Sequence, residues 1–198
     1  ELQIKFGLVR DDDKTVLSDK VENGLPLSVD LKGFDGLVGF KAKKHSMLID
    51  CDKPKSYKAD FFWEKITSRD LIINDNNFTR SLVLSPDAFY ILASKEFVSV
   101  PSHLAAEMRP YDTRVGEFRA HYAGFFDPGF GLSELKADKT KAVLEIRSHD
   151  VPFLIEDGQT ICRLIFEPMA KTPKELYGEK DGKNNYQSQG LKLSKHFI

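Results

Sequence analysis

Cysteine is nearly missing from this chain. Only Cys51 and Cys162 occur in 198 residues, far apart and in no CxxC pair. That argues against a zinc framework or a dense disulfide scaffold and fits a reducing, cytoplasmic setting. An excess of either charge is missing too, since 29 basic residues meet 30 acidic ones for a net charge of −1. Duplex DNA and anionic membranes select clustered positive charge, so neither nucleic acid nor a membrane is expected as partner. A small anionic ligand needs only a few local cations and stays open. No apolar run approaches the roughly 18 residues of a membrane span, and ELQIKFGLV at the N-terminus is too short and mixed for a signal peptide. The paired H-x-E and P-C-x-x-C motifs of one class of catalytic zinc site are absent. His121, His149 and Asp150 have no ligand spacing and read as surface residues.

What the chain does have is length enough for one core-bearing domain, 15 phenylalanines, and many short apolar alternations. Leu2, Ile4, Phe6 and Leu8 alternate as a half-buried strand that Asp11-Asp12-Asp13 ends. Leu25–Leu31 reads as a strand, Gly33, Gly36 and Gly39 punctuate the next region, and Ser46–Asp50 (SMLID) reads as a short apolar strand. Asp60–Ile66 is a strand or a helical turn; periodicity leaves both open. Leu82 and Leu84, then Phe89, Ile91 and Ala93, suggest a strand pair across Ser85-Pro86-Asp87. Ser102 caps a short helix, His103–Met108, that Pro110 ends. Val151–Phe166 reads as two strands around Glu156-Asp157-Gly158. After Pro168 the chain turns polar, giving a β domain over 1–170 and an arm over 171–198. Short strands with turn signals about every 8–12 residues point to an all-β sandwich or barrel-like fold.

The organising stretch is Glu107–Ser148. It holds EMRPYDTR (Glu107–Arg114), GEFRAHYAGFFDPGFG (Gly116–Gly131) and AVLEIRS (Ala142–Ser148). On the last strand Glu145 faces away from Leu144 and Ile146, with Val143 and Arg147 on its side. A strand glutamate is more often a solvent-facing residue than a catalyst.

Five segments in register carry a family resemblance. Ser85–Met108 resembles the segment leading into the active-site helix of dCTP deaminases. Asp127-Pro128-Gly129-Phe130 resembles their Asp-Pro-Gly-aromatic turn, and AVLEIRS their catalytic strand, with Glu145 at the catalytic glutamate. Asp157-Gly158-Gln159 through Glu167 resembles the strand that follows. Tyr186-Gln187-Ser188-Gln189-Gly190 resembles their C-terminal Tyr-Gln-x-Gln arm. The likeness runs from about Ser28 to the end. It implies the distorted jelly roll (β-clip) of the dUTPase superfamily, with one or two short helices. It also implies a homotrimer with sites between subunits and hydrolysis of dCTP to dUTP and ammonia. The arm would close over the nucleotide site.

The resemblance assigns roles residue by residue. Glu145 is the general base and proton shuttle, which asks for burial that raises its pKa toward neutrality. Arg114 is counted as catalytic beside it, and Arg109 and Arg114 are the candidates to bind the triphosphate. The backbone of Tyr122 and Ala123 reads the base edge. Asp127 accepts from the 3′-hydroxyl, although Asp-Pro-Gly makes turns anywhere, and Phe130 blocks a 2′-hydroxyl, although core packing is the commoner use of phenylalanine. Tyr177, Lys183 and Gln189 join from the arm. The chemical step needs no cofactor, and Mg²⁺ enters only on the triphosphate. Partners implied are dCTP or dUTP, with dTTP as an inhibitor.

Departures are informative. The family's Arg-Ser-Ser phosphate loop is Arg109-Pro110-Tyr111 here, so two hydroxyl donors are gone while both arginines remain. Phe125 and Asn185 stand where the family has Arg and Lys. The pattern resembles the C-terminal half of longer, tandem dCTP deaminases, whose other half carries the Ser-Ser loop. The expectation is a site completed by a second copy or an upstream half, which the start at Glu1 rather than Met also fits. Two rivals stand beside it. One is a dUTP diphosphatase or bifunctional enzyme, which would cleave between the α and β phosphates. The other is a non-catalytic half serving assembly or nucleotide sensing.

Overall fold

Alternating apolar residues build sheets here, and which strands pair decides where the site lies. The computed structural model describes residues 3, 6–11, 14–15, 24–74, 78–110, 118–120, 124–132, 135, 139–148, 150–179, 187 and 191–198. Along these residues the first strands are β1 (Val9–Asp11), β2 (Lys14–Thr15), β3 (Leu25–Ser28), β4 (Leu37–Ala42) and β5 (Trp63–Thr67). Then come β6 (Ile72–Ile73), β7 (Arg80–Leu84), β8 (Phe89–Val98), β9 (Leu104–Pro110) and β10 (Phe118–Ala120). The last are β11 (Phe125–Phe126), β12 (Lys141–Ser148), β13 (Phe153–Glu156) and β14 (Thr160–Pro168). Single 3-10 turns stand at Ala59–Phe61 and Ser68–Asp70.

Among the described residues three antiparallel sheets result. A seven-stranded sheet runs β10-β12-β8-β1-β2, with β4 beside β8 and β5 beside β4. Four strands follow the order β11-β9-β14-β3, and three the order β13-β7-β6. The fold is an all-β jelly roll. Leu27, Leu84, Leu92, Leu144, Ile155 and Leu164 bring side chains from all three sheets into one core. Each such burial contributes about 1.5–3 kcal/mol relative to exposure.

The apolar run at the start of β8 is covered on both faces. Tyr90 and Leu92 enter the main core, while Ile91 meets Phe40 and Leu193 in a smaller cluster on the other side. The lid of that cluster is the chain's own C-terminal segment. The backbone N–H groups of Ser56 and Tyr57 donate to His196 O at 3.0 and 3.1 Å, and Ile198 N–H donates to Tyr57 O at 2.9 Å. Phe197 sits edge-on to Phe62 and Trp63.

Two buried carboxylates have close partners. Glu96 accepts from the N–H of Ser28 at 2.8 Å and from its hydroxyl. Burial raises the Glu96 carboxyl above its ordinary value, and the Ser28 bonds offset part of that. Lys141 Nζ lies 2.5 Å from Asp30 Oδ2, and both side chains are largely buried. Burial, and secondarily the charge of Glu96, pushes the Cys162 thiol far above the ordinary range, which makes it unreactive.

Several sequence expectations are corrected. His103–Met108 is not a helix: Leu104, Ala106 and Met108 are buried at alternate positions of β9, which pairs with β14 from Leu104↔Pro168 to Cys162↔Pro110. Two strand partners override the helix preference of Ala and Glu. Of the strand expected over Leu2–Leu8, Leu2 and Ile4 lie outside the described residues, while Gln3 and Phe6 are helical and Gly7 N–H donates to Gln3 O at 2.8 Å. Ser46–Asp50 is an exposed loop with Leu48 95% accessible, because β4 has already ended and no strand among the described residues lies alongside. For Asp60–Ile66 both open options occur in succession, a 3-10 turn and then β5. The two strands expected around Glu156-Asp157-Gly158 form, as β13 and β14, whereas the pair expected across Ser85–Asp87 does not. β7 pairs with β13, through Leu84↔Phe153 to Ser81↔Glu156, so Ser85–Asp87 and Glu156–Gly158 are corners at which the chain changes sheet.

Candidate active site

β12 alternates strictly. Ala142, Leu144, Ile146 and Ser148 are buried, and Val143 and Glu145 face the other way with Arg147. The register Glu145↔Ile91 and Val143↔Ala93 sets this face beside the smaller aromatic cluster. The result is a cleft of about 390 Å³ with Val143 and Glu145 on one wall, within the size range of small-molecule sites. Glu145 is half-buried there. Arg147 stays exposed, its guanidinium 5.7 Å from the Phe89 ring.

The facing wall is the Asp127-Pro128-Gly129-Phe130 turn. β11 hangs on β9 through Phe126↔Ala106 and Phe125↔Glu107, which aims the turn. Phe130 N–H donates to Asp127 O at 3.1 Å and Gly129 N–H to Val100 O at 2.9 Å. Asp127 is left exposed at the rim, while Phe130 stacks between Phe126 (5.0 Å) and Tyr177 (5.8 Å). Gly129 has φ of +105°, and a Cβ there would lie 2.7 Å from both Tyr177 N and Tyr177 O. Only glycine lets Tyr177 pack so tightly on the turn.

A clamp secures that closure. Gln187 Nε2 donates to Gly129 O at 3.1 Å, and Gly131 N–H donates back to Gln187 Oε1 at 3.2 Å. Tyr177 N–H donates to Pro128 O at 2.8 Å. One amide side chain and one backbone bond therefore fix the rim.

The remaining wall is aromatic and C-terminal. Trp63, Phe89 and Ile91 line it together with Lys192 and Ser194. Trp63 Nε1–H is buried with no hydrogen-bond partner among the described residues, an unspent donor in the wall. Ser194 Oγ lies 3.2 Å from His196 Nδ1, and His196 Nε2 lies 3.0 Å from Cys51 O.

Of the residues singled out in the sequence, Glu145, Asp127, Phe130 and Tyr177 meet in this cleft. Arg109 does not. It lies on the face of β9 opposite Met108, which lines the cleft, and its guanidinium is 3.8 Å from Glu107. Arg114, Tyr122, Ala123, Lys183 and Gln189 lie outside the described residues, as do His121 and His149. Gln187, Trp63, Lys192 and Ser194 were not singled out. Gln187 sits inside the Tyr-Gln-x-Gln motif, and LKLS (Leu191–Ser194) carries a period-two signal that places Lys192 and Ser194 on one face. Among the described residues no group of three His, Cys, Asp or Glu side chains could hold a metal ion, and no helix is long and apolar enough to cross a membrane.

A carboxylate and a rim carboxylate flanking an aromatic cleft can shuttle protons to a bound heterocycle and accept from a sugar hydroxyl. The family model for the 2′-deoxycytidine 5′-triphosphate deaminase C-terminal domain matches residues 1–197. The crystal structure of 2′-deoxycytidine 5′-triphosphate deaminase from Agrobacterium tumefaciens superimposes with a TM-score of 0.70 at 43% identity, covering 87% of this chain and 47% of that one. The dCTP deaminase, dUMP-forming, of Methanosphaera stadtmanae is 27% identical over 176 residues, covering 86% of this chain and 79% of its own. The protein of the same name from Methanobrevibacter smithii is 33% identical over 113 residues, 55% of this chain and 54% of its own. This chain thus spans about half the length of the Agrobacterium and Methanobrevibacter proteins.

Proposed function

The chain belongs to the family of dCTP deaminase C-terminal domains, and from that premise we propose that its cleft hydrolyses dCTP to dUTP and ammonia. The observation that carries the reading is the meeting of Glu145 with Asp127, Phe130 and Tyr177 in one cleft. Glu145 takes a proton from water as the oxygen adds to C4 of cytosine, and it delivers that proton to N3. It then moves the proton of the new hydroxyl to the amino group. The C4–N4 bond breaks, ammonia leaves, and a 4-oxo ring remains. Asp127 accepts from the 3′-hydroxyl, and Phe130, held by its aromatic neighbours, leaves no room for a 2′-hydroxyl. The backbone of Tyr122 and Ala123 reads the base edge. Residues 171–198 act as the arm of the 1–170 domain, and Tyr177, Lys183 and Gln189 close it over the nucleotide.

The phosphate side is completed from outside the chain. Arg109 on the outer face of β9, with Arg114, meets a triphosphate across a boundary with another copy in a homotrimer, or with a second half bearing the missing hydroxyls. Mg²⁺ travels with the triphosphate, and dTTP competes for the same cleft. The setting is the cytoplasm. In Glu145→Gln the ammonia release should fall by about 100-fold or more while the dCTP dissociation constant moves less than about threefold. Unchanged turnover would sink the assignment, and nucleotide binding without turnover in the parent protein would favour the non-catalytic half.

A second reading has its own support: both archaeal relatives are named dUMP-forming. In it a second water attacks the α phosphorus of dUTP, and pyrophosphate leaves. Separate assays of dCTP and dUTP for ammonia and pyrophosphate distinguish the two.

A further inference from the structure

The C-terminal segment contributes more to the cleft than a cover. Leu193 is buried against Phe40 and Ile91, and the residues on either side of it, Lys192 and Ser194, line the cleft. The segment is held by backbone bonds at Ser56, Tyr57 and Ile198, and Phe197 N–H donates to Ser194 O at 3.1 Å. Ser194 is therefore fixed in place before any ligand arrives.

Its hydroxyl is also fixed in polarity. The Cys51 carbonyl, 3.0 Å from His196 Nε2, can only accept, so Nε2 carries the imidazole proton. In the neutral ring Nδ1 is then bare and can only accept in turn. The group 3.2 Å from it is Ser194 Oγ, whose single proton goes to Nδ1. What Ser194 offers to the cleft is the lone pairs of its oxygen. A serine free to rotate would donate or accept at will, and this one is an acceptor.

Resting on the deaminase reading above, we infer that Ser194 is a specificity-determining residue that accepts a hydrogen bond from the exocyclic amino group of the base, with His196 as its positioning residue. Cytosine presents N–H donors at C4. Uracil presents O4, whose lone pairs oppose those of Ser194. The same contact that selects the amino substrate repels the oxo product, so the cleft favours release once ammonia has left. The arrangement uses residues the Asp-Pro-Gly turn and the Glu145 strand do not supply.

The test is equilibrium binding of dCTP and of dUTP to the parent, Ser194→Ala and Ser194→Thr proteins, with thermal melting to confirm folding and ammonia release measured on the parent. The parent should prefer dCTP. Ser194→Ala should lose about tenfold of that preference, the worth of one hydrogen bond against an opposed acceptor. Ser194→Thr keeps the hydroxyl and should stay within about threefold of the parent. A Ser194→Ala protein that melts like the parent and keeps the full preference overturns the inference while the parent's ammonia release leaves the function reading standing. Equal binding of both nucleotides by the parent overturns it as well. Failure of the parent to bind either nucleotide or release ammonia, both alone and joined to a half that bears the Ser-Ser loop, overturns the function reading and this inference with it.

Discussion

Gly129→Ala tests how the arm and the Asp127 turn hold each other. Gly129 has φ of +105°, and an added Cβ would stand 2.7 Å from Tyr177 N and O and 2.8 Å from Leu176 Cβ. Ordinary carbon contacts sit near 3.5–4.0 Å, so backbone must retreat by roughly 0.8 Å. Strain at such a φ costs about 1–3 kcal/mol for a residue with a Cβ. The retreat also loosens the Tyr177 N–H bond to Pro128 O and the Gln187 bond to Gly129 O, each worth about 1 kcal/mol. A total near 3–5 kcal/mol follows, against a typical domain stability of about 5–15 kcal/mol. Gly158→Ala separates strain from collision, since Gly158 also has positive φ, +81°, but nothing lies within 4 Å of its Cβ position. It should cost about 1–2 kcal/mol. In urea, with a slope of roughly 2 kcal/mol/M, the midpoint should fall by about 1.5–2.5 M for Gly129→Ala and about 0.5–1 M for Gly158→Ala. Equal midpoints for the two variants at unchanged slope would refute the claim that the arm is seated on the turn.

Two further outcomes concern the buried charges. Glu96 has a folded-state pKa raised above 4.5 by burial. The folded state therefore binds its proton more tightly than the unfolded state, and the stability this gives is present below about pH 4.5 and lost as pH rises through the raised value. Glu96→Gln keeps both Ser28 bonds and has no such titration, so its melting temperature relative to the parent should climb from pH 4 toward neutrality; a difference that stays constant with pH is the contrary result. Lys141→Met leaves the Asp30 carboxylate buried without the ammonium 2.5 Å away, and chemical denaturation should show a loss of about 3–5 kcal/mol. The Lys141→Met/Asp30→Asn double variant should recover part of it, and strict additivity of the two losses would show that the pair is not coupled.

How much of this was legible in the sequence depends on whether one strand or two decided the outcome. KAVLEIRS (Lys141–Ser148) carries its own answer: period two puts Glu145 and Val143 on one face whatever lies beside them, and the structure keeps them there. The run Phe89–Ala93 likewise reads as strand, and its lack of alternation already signals cover on both faces. Leu104–Met108 carries no such answer. Leu-Ala-Ala-Glu-Met suits a helix as well as a strand, and the pairing with β14, more than fifty positions downstream in the sequence, decides it. Turn chemistry misled in a similar way. Ser85-Pro86-Asp87 does turn the chain, but a turn does not say whether the next strand stays in the sheet. Gln187 was hidden for a different reason. An amide can donate and accept anywhere, and its meaning exists only once Gly129 O and Gly131 N are brought to either side of it.

The same strand logic bears on the division of the site. Met108 and Arg109 are neighbours on β9, and Met108 lines the cleft that holds Glu145. Successive residues of a strand face opposite sides, so Arg109 cannot enter that cleft without a one-residue slip, which would also push Leu104, Ala106 and Met108 out of the core. The burial of those three side chains, about 1.5–3 kcal/mol for Leu104 or Met108 alone, locks the register. Glu145 and Arg109 of one chain therefore serve different spaces. The proposed phosphate role of Arg109 belongs to a cleft whose glutamate comes from another copy or another half. In mixtures of Glu145→Gln chains with Arg109→Ala chains, that arrangement brings an intact glutamate and an intact arginine together across the boundary.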